Sequence, residues 1–404
     1  MTPTRVLLLT TYYHPVIGGA ETAARHLATH LAARGCQVEV VAKRTQPDVP
    51  DHDTVDGISV HRIPPYGERS GAGKWRMLPR AIVELWRRRT RYDVICCVDY
   101  RGVGLAAILV GWLAGKPVAV QAETTGVLSC ENWDPALARR GIAPHGLFAR
   151  TMKFPLRFLY ARADRFVCIA RHIEDETLAE GIARDRVIYI PHGADTSRFR
   201  PAEPGERDRL RQDLSLPLDR PVCLYLGRLS REKGMLDLVD AWTQINHPRA
   251  VLLVVGPDMT GHPWDVGAEA RRLVVERGLA DRVRFYGPSA DPAPLFRAAD
   301  IFIQPSHFEA FGISAIEAMA SGLAVVASRV GGMLDFVEDE ANGLLATPKD
   351  PHDFARQIRR VLDDEALRLR LASAARATAA SRFDEAQLFD QYAALVSEMA
   401  ARGR

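Results

Sequence analysis

The sequence predicts an α/β protein built from two doubly wound domains, each a parallel sheet covered by helices on both faces. Short apolar runs rich in β-branched residues alternate with helix-length stretches, and this pattern occurs twice along the chain. A chain of 404 residues is also too long for one ordinary core. The composition, 47% hydrophobic and 25% charged, is typical of a globular protein.

The first set of elements predicts a domain over residues 1–200. Its strands are expected at 6–10, 38–42, 58–63, 94–98, 118–121, 165–169 and 187–190. Helices are expected at 21–33, 102–114 and 172–180.

The second set predicts a domain over residues 221–383, after a linker at 201–220 that is rich in proline and charge. Its strands are expected at 222–226, 250–255, 283–286, 301–304 and 324–327. The tail, 384–404, has apolar residues at helical spacing. We expect this last helix to return to the first domain.

The sequence shows no signal peptide, no membrane-spanning segment and no metal-binding cysteine motif. No apolar run reaches the roughly 20 residues that span a bilayer, and the first apolar run has no signal-peptide cleavage pattern. The six cysteines follow no zinc-ligand spacing. We therefore expect a cytoplasmic protein with reduced, mostly buried thiols.

Charge is distributed unevenly. Residues 1–200 contain 28 basic and 20 acidic side chains, whereas the remainder contains 25 and 30, so the two parts carry formal charges of +8 and −5. A basic first half suggests an anionic partner or surface on that side. A merely solvated basic face is the alternative.

Two glutamates, Glu309 and Glu317, lie in a segment, 306–322, that is otherwise mostly apolar or small. The segment follows a predicted strand, and a helix is expected to begin near Ile313, just after Gly312. A buried carboxylate is costly unless it is paired or hydrogen-bonded. A ligand rich in hydroxyls would meet that need, and the free amides of a helix start attract anions. The alternative is an internal ion pair with an arginine.

Arg228 and Lys233 fall in the turn between the predicted strand 222–226 and a helix expected to begin near Gly234. Cations at a helix start are mildly unfavourable unless an anion lies between them and the helix. We expect them to bind a diphosphate and to neutralise its charge as it leaves. The alternative is two surface cations, with Lys233 balanced by Glu232.

Gly18 and Gly19 precede the first long helix and could offer backbone donors to a phosphate or a sugar. An ordinary tight turn is the alternative. The segment lacks the G-x-G-x-x-G pattern of dinucleotide-binding proteins.

These residues belong to a larger set of segments whose order resembles the retaining glycosyltransferases of family 4. The segments are GGAE (18–21), IPHGADTSRF (190–199), YLGRLSREKG (225–234), VVGP (254–257), FYGP (285–288) and the glutamate pair, which matches the family's E-x7-E signature. The resemblance implies a GT-B fold, with two Rossmann-like domains facing across a cleft. It also implies metal-independent, retaining transfer of a hexosyl group, with no cofactor, from a nucleotide diphosphate sugar. The donor is expected to be a UDP-sugar, and the acceptor a glycan, a lipid-linked molecule or a small molecule.

The resemblance also implies roles for individual residues. Glu317 would hydrogen-bond the ribose hydroxyls, and Glu309 would bind donor-sugar hydroxyls and support charge at the reacting carbon. Phosphates and sugar would be held by the backbone of Phe311, Gly312 and Ile313. The other donor contacts would be Arg228 and Lys233 at the diphosphate, Gly287 and Pro288 at the base, and Gly18 and Gly19 near the phosphates.

One departure concerns the loop after the predicted strand 118–121, where many family members carry a histidine. This chain has Glu123 in that region, and Glu123 is a candidate to take over the histidine's contact with the donor sugar. His14, Tyr100 and Arg101 also follow predicted strands and are candidate acceptor contacts. Exposed loop residues are the alternative for all three.

Two segments of the first domain mix apolar and basic residues, namely 75–91 and 137–166. Such segments can lie on an anionic membrane surface, so peripheral membrane contact at a lipid-linked acceptor is one hypothesis. The alternative hypothesis is that the apolar residues of these segments pack on the core and the basic residues face the solvent.

Two further functions compete with transfer. A dinucleotide-dependent oxidoreductase lacks support because the glycine fingerprint is absent and Glu309 would have no task. A nucleotide-sugar-binding protein without transferase activity remains open because of the altered histidine loop.

Overall fold

The structure is a computed structural model that describes residues 3–16, 18–46, 48–67, 71–130, 134–138, 141–143, 146–245, 247 and 249–402. The chain divides into two compact units. The first contains residues 1–191 and 386–404, and the second contains residues 192–385.

An eight-stranded sheet forms the first unit, in the order β3-β4-β2-β1-β5-β6-β7-β8. Its strands are β1 (Arg5–Thr10), β2 (Gln37–Lys43), β3 (His52–Val55), β4 (Ile58–Ile63), β5 (Val94–Val98), β6 (Val118–Ala122), β7 (Arg165–Cys168) and β8 (Val187–Tyr189). Its helices are α1 (Gly19–Ala33), α2 (Gly71–Arg87), α3 (Gly104–Ala114), α4 (Asp134–Ala138), α5 (Leu147–Tyr160) and α6 (Arg171–Ala179).

A six-stranded sheet forms the second unit, in the order β11-β10-β9-β12-β13-β14. Its strands are β9 (Val222–Leu226), β10 (Val251–Val255), β11 (Val283–Gly287), β12 (Ile301–Gln304), β13 (Ala324–Ser328) and β14 (Leu344–Ala346). Its helices are α7 (Glu206–Asp213), α8 (Met235–Gln244), α9 (Gly267–Glu276), α10 (Ala293–Ala298), α11 (Ile313–Ala320), α12 (Pro351–Asp363) and α13 (Glu365–Arg382).

Parallel pairing dominates both sheets, as the alternation of strands and helices predicts. The fully buried strands β5, β10 and β13 explain why these runs are apolar throughout. Two strands were not predicted. β3 pairs antiparallel with β4 and has polar, exposed positions, and β14 has only three residues.

The last helix, α14 (Glu385–Arg402), packs on the first unit, as expected. Tyr392, Val396 and Met399 belong to the same apolar core as the strands of the first sheet. At the surface, Asp390 accepts from the His30 imidazole at 2.7 Å.

The predicted domain boundary is corrected by the structure. The chain divides at residue 191, and the predicted linker 201–220 contains α7 and packs within the second unit. Arg211 on α7 is buried, ion-pairs Asp300 at 2.6 Å and donates to the Ala298 carbonyl at 2.9 Å. The charged composition of the segment therefore reflects specific pairing with the folded unit and not a free linker.

Strand order reverses once in each sheet, and ligands of such sheets bind outside the carboxyl ends of the strands at this point. In the first sheet the reversal lies between β1 and β5, and in the second between β9 and β12.

Shortening Met399 on α14 should destabilise the first unit. The side chain is 2% exposed, so Met399→Ala should lower the free energy of unfolding of this unit by about 2–5 kcal/mol through lost burial and a cavity. Urea unfolding measures the change. Gln391→Ala, an exposed position on the same helix, is the control, and an equally small effect of both would contradict this packing.

Candidate functional site

The site in the second unit is built from two loops that follow neighbouring strands. Residues 227–234 follow β9, and residues 305–312 follow β12, which pairs with β9. The two motifs are far apart in sequence, but strand pairing places them side by side at the switch point of the sheet.

Gly234 brings the two loops into close contact. Its backbone is left-handed, with φ 69°, and a Cβ at this position would lie 1.9 Å from the Pro305 carbonyl oxygen. Only glycine fits both conditions. The His307 amide also donates to the Glu232 carbonyl at 2.8 Å, so backbone contacts on both sides fix the spacing of the loops.

Glu309 is held between the loops by three donors. Its Oε2 accepts from Lys233 Nζ at 2.7 Å, from Gln304 Nε2 at 2.7 Å and from Ser306 Oγ at 3.1 Å. The residue is only 8% exposed. An ionised carboxylate tolerates this burial because it is paired and hydrogen-bonded. No described residue donates to Oε1, which leaves that oxygen for a ligand.

Gln304 is oriented by a further contact. Its Oε1 accepts from Ser314 Oγ at 3.1 Å, so its amide nitrogen turns towards Glu309. Ser314 lies in the first turn of α11, and the chain of contacts therefore runs from Lys233 through Glu309 to the start of this helix.

The partners of the two predicted cations differ from the expected ones. Glu232 does not balance Lys233 but ion-pairs Arg228 at 2.7 Å, whereas Lys233 pairs with Glu309. Arg228 is partly exposed and also lies 3.9 Å from the Met259 sulfur. Lys233 ends a short 3-10 turn, and α8 begins at Met235 with Gly234 as its N-cap, as predicted.

The start of α11 is open to an anion. Gly312 has φ 107° and provides no side-chain cap for the first amides of the helix. A Cβ at Gly312 would lie 2.5 Å from the Met333 methyl group, and one at Gly332 would lie 2.5 Å from the Phe311 Cα. The backbone of 311–313 is therefore confined by close packing from the segment after β13.

Glu317, on α11, is in a different environment from Glu309. It lies among buried apolar residues of the helix, and no described residue forms a hydrogen bond or an ion pair with its carboxyl group. Arg198, whose charge acts on Glu317 and opposes the rise of its pKa, ion-pairs Asp291 at 2.8 Å instead. Burial raises the pKa of Glu317 to about 8, although part of the side chain remains accessible. The alternative, an internal pair with an arginine, is not found for Glu317 among the residues that the structure describes.

Glycines end three neighbouring strands of the second sheet, next to Pro288. The Gly256 amide donates to the Gly287 carbonyl at 2.9 Å, and a Cβ at Gly256 would lie 1.8 Å from the Gly227 oxygen. The resulting edge has no side chains at these positions, while Tyr286 is half-exposed beside it. A flat ring could approach the backbone here.

Sequence reasoning missed several contributors to this site, namely Gln304, Ser306, Ser314, Gly256 and Gly332. Gln304 and Ser306 flank the end of a predicted buried strand, and a polar residue in that position is a usable signal. Gly332 contacts the site only through tertiary packing, for which the sequence carries no local signal.

Candidate residues of the first unit follow β1, β5 and β6. Gly18 is the N-cap of α1, which begins at Gly19 and has no side-chain cap. His14 is exposed, and its carbonyl accepts from Arg62 at 3.0 Å. These positions are compatible with the expected contacts but do not test them.

Tyr100 is not an exposed acceptor contact. It is 2% exposed and packs edge-on against Tyr160, with ring centroids 5.4 Å apart. Its position directly after an apolar strand explains this burial, because the loop turns back into the core towards α3.

Arg101 and Glu123 belong to one charged group. Arg101 donates to Asp99 at 2.8 Å, and Glu123 accepts from Gln121 at 2.6 Å. Burial opposes the charge of Arg101, but Asp99 and Glu123 outweigh it and raise the pKa of the guanidinium. The guanidinium therefore keeps its charge despite its partial burial.

Comparisons with known proteins assign both units. The model of the Glycosyl transferase 4-like domain matches residues 18–193, and that of Glycosyl transferases group 1 matches residues 206–378. The D-inositol 3-phosphate glycosyltransferase of Xylanimonas cellulosilytica is 33% identical, over 98% of each chain. That of Catenulispora acidiphila is 30% identical, over 86% of this chain and 83% of the relative.

The chain is a family 4 glycosyltransferase.

Solved structures have the same fold. Sucrose-phosphate synthase from Thermosynechococcus elongatus has a TM-score of 0.81 and 27% identity, covering 99% of this chain and 100% of that one. Anabaena HepE, solved in complex with UDP, has a TM-score of 0.77 and 24% identity, covering 98% and 100%. The two parallel-sheet units of this glycosyltransferase are thus the two Rossmann-like domains of the GT-B fold. No helix in the described ranges is long and apolar enough to cross a lipid bilayer.

Replacing Gly234 should disturb the site of the glycosyltransferase more than replacing a matched glycine elsewhere. Gly234 and Gly278 have similar left-handed backbones, φ 69° and 64°. A Cβ at Gly234 would collide with the Pro305 oxygen, whereas a Cβ at Gly278 would have no atom within 4 Å. Gly234→Ala should push the loops apart and reduce transfer roughly 100-fold, the cost expected of a misplacement of about 1 Å. Gly278→Ala should retain the activity. Equal activities of the two variants would contradict the importance of this contact.

Stability of the second unit should depend on pH through Glu317. With a pKa of about 8 in the folded state, Glu317 keeps a proton between roughly pH 5 and pH 8 that the unfolded chain has lost. The unfolded state then binds fewer protons, so the free energy of unfolding falls as the pH rises through this window. Denaturant titrations should show this slope, and Glu317→Gln should flatten it. Glu203→Gln, at an exposed position, should leave the slope unchanged, and a slope that survives in Glu317→Gln would exclude this carboxyl group as its source.

Proposed function

We propose that this glycosyltransferase transfers a hexosyl group from a UDP-sugar to a hydroxyl acceptor, with retention at the anomeric carbon and without a metal ion. The observation that carries the proposal is the Glu309–Lys233 pair, which lies at the switch point beside the open start of α11. One anionic and one cationic group at this place suit a substrate that is both rich in hydroxyls and negatively charged.

The diphosphate is proposed to rest on the first amides of α11, near Lys233 and Arg228. The helix start favours an anion, and Lys233 Nζ can donate to a phosphate while it still contacts Glu309. As the bond between the sugar carbon and the phosphate oxygen breaks, these groups would neutralise the charge that develops on the leaving UDP. This arrangement assigns to protein cations the task that a metal ion performs elsewhere.

Glu309 is proposed to act on the donor sugar through Oε1. Its three donors hold the carboxylate in one orientation, and its negative charge would stabilise positive charge at the reacting carbon. The acceptor oxygen would attack from the side of the leaving group and form the new bond to that carbon. Its proton would pass to the leaving phosphate oxygen, and attack from this side retains the configuration.

The nucleoside is proposed to lie between Glu317 and the exposed backbone at Gly256 and Gly287, next to Pro288. Ribose hydroxyls would supply the polar partners that Glu317 otherwise lacks among the described residues, and the base would lie against the exposed backbone. Anabaena HepE, of the same fold, was solved with UDP and with UDP-glucose, so these are the first donors to test.

The acceptor is proposed to bind the first unit, near the group formed by Arg101 and Glu123, with Gly18, Gly19 and His14 as further contacts. The curated relatives are named for D-inositol 3-phosphate, and a basic unit suits an anionic acceptor. Inositol 3-phosphate is therefore the first small acceptor to test, with a lipid-linked acceptor and a glycan as the others.

Radiolabelled UDP- and GDP-sugars, supplied with each acceptor class, test the proposed reaction. We expect release of UDP and a product with the anomeric configuration of the donor, determined by NMR, in the presence of a chelator. A nucleotide that binds without any transfer would favour the alternative of a binding protein, and an inverted product would contradict the mechanism.

Variants of the two glutamates should separate their roles. Glu309→Gln keeps the shape but removes the charge, so kcat should fall roughly 100–1,000-fold, as when one group that stabilises a transition state is lost. Glu317→Ala should mainly weaken UDP binding, measured by calorimetry. Small and equal effects of both substitutions would contradict the assignment.

A further inference from the structure

Helix α5 exposes its apolar side chains, although a helix on a globular protein normally buries them. Leu147, Phe148, Phe154 and Phe158 are 80%, 63%, 67% and 53% exposed. The buried positions of the same helix instead include Lys153, which pairs with Asp134. The helix therefore docks through Ala149, Tyr160 and the charged pair, and points its phenylalanines outwards.

The exposed face of α5 is divided into an apolar sector and a basic one. At about 100° per residue, Leu147, Phe154 and Phe158 lie within roughly 40° of one another, and Arg150 and Arg157 lie together along one flank. The apolar sector thus has members in the first, middle and last turns of the helix, with Thr151 between Leu147 and Phe154, and it is bordered by guanidinium groups.

The end of α3 extends this apolar sector. Trp112 and Leu113 are 61% and 57% exposed. The Arg162 guanidinium lies 5.3 Å from the Trp112 ring centroid and 4.5 Å from that of Phe158, and Phe158 stacks on Phe154 at 6.2 Å. We call the exposed residues Trp112, Leu113, Leu147, Phe148, Phe154 and Phe158 the α3–α5 patch.

The other segment that mixes apolar and basic residues, 75–91, does not turn its apolar side outwards. On α2, Met77, Ala81 and Leu85 are buried, and only Trp86 and Val83 of its larger apolar residues are substantially exposed. The core-facing alternative therefore holds for 75–91, whereas residues 147–160 present their apolar residues outwards. Residues 139–140 and 144–145 of the longer predicted segment lie outside the described residues.

A contiguous exposed apolar patch of this kind marks an interaction surface, and the charges around it select the partner. Arg150 and Arg162 have no ion pair with any described residue, and Arg157 is paired with Glu180. Two copies of the chain meeting through this patch about a two-fold axis would place like charges close together. An anionic lipid surface instead complements both the apolar sector and the free guanidinium groups.

We propose that the α3–α5 patch seats the enzyme on an anionic membrane, with the aromatic side chains inserted at the headgroup boundary. The proposal deepens the lipid-linked branch of the proposed function, but it concerns binding alone and does not require transfer activity. Of the two segments that the sequence offered for membrane contact, it chooses α5 and adds the end of α3.

The same helix is connected to the candidate acceptor loop. The Gly102 amide donates to the Tyr160 hydroxyl at 3.1 Å, next to Arg101. A membrane-bound α5 would therefore hold the loop after β5 at a fixed place relative to the lipid. A lipid-linked acceptor could reach this loop while its chain remains in the bilayer.

Flotation of the full-length protein with vesicles of phosphatidylglycerol and phosphatidylcholine tests the proposal. We expect co-flotation at low salt, its loss at high salt, and no co-flotation with pure phosphatidylcholine. Phe154→Ser with Phe158→Ser should abolish binding. Arg150→Gln with Arg162→Gln should weaken it roughly 25-fold, about fivefold for each cation near an anionic surface.

Val275→Ser is the matched control, because Val275 is 70% exposed on α9 of the second unit. It should float as the wild type does. UDP binding, measured by calorimetry, should be unchanged in all these variants, which separates this proposal from that for the donor site. Absence of co-flotation at low salt, or equal flotation of wild type and patch variants, would overturn it. A wild-type dimer that Phe154→Ser with Phe158→Ser converts to a monomer, without vesicle binding, would assign the patch to a second copy instead.

Discussion

The pairing of β9 with β12 is the constraint on which the site depends. It places Lys233 beside Glu309. The two loops can come this close because Gly234 has no side chain to collide with the Pro305 carbonyl oxygen. Taking both charges out of water costs free energy that their attraction only partly offsets. The pair is therefore not evidence of stability by itself. The proposed function gives it a different purpose, since a nucleotide sugar needs a fixed carboxylate and a cation at one place.

The two glutamates differ in their surroundings, and the proposed function gives them different tasks. Glu309 receives three donors and can stay ionised while nearly buried. Glu317 has apolar neighbours, and burial raises its pKa to about 8. A fixed charge suits stabilisation of a reacting centre, whereas a carboxyl group without partners among the described residues gains most from hydroxyls brought by a ligand. The spacing of the motif follows from the fold, because one member lies in the loop and the other lies one turn into the helix.

The elements that the sequence predicted well are those with a strong local signal. Apolar and β-branched runs identified twelve of the fourteen strands in the described ranges. Strands buried on both faces, such as β5 and β10, are apolar at every position, whereas β4 and β11 alternate between more buried and more exposed residues. The short or polar edge strands β3 and β14 lack that signal. The partner of Lys233 could not be predicted, because it depends on which strands are neighbours, and local pattern does not encode strand order. Tyr100 was misplaced for a related reason: its position after a strand is visible in the sequence, but its packing against Tyr160 is a tertiary contact. The roles of the candidate site residues, in both units, stay predictions.

The orientation of α5 also indicates that the α3–α5 patch is an interaction surface. Exposed aromatic residues favour aggregation and contribute nothing to the core, and an exposed apolar patch of this kind marks a binding surface. Lys153 shows that the orientation of α5 is not a weak preference, because the helix buries a charge paired with Asp134 while Phe154, the next residue, faces outwards. Rotating the helix to bury the aromatic residues would expose that pair and remove the Tyr160 contact with the loop after β5. The helix is thus fixed by polar contacts in the orientation that presents its apolar side, which is the arrangement expected if the apolar side has a partner of its own.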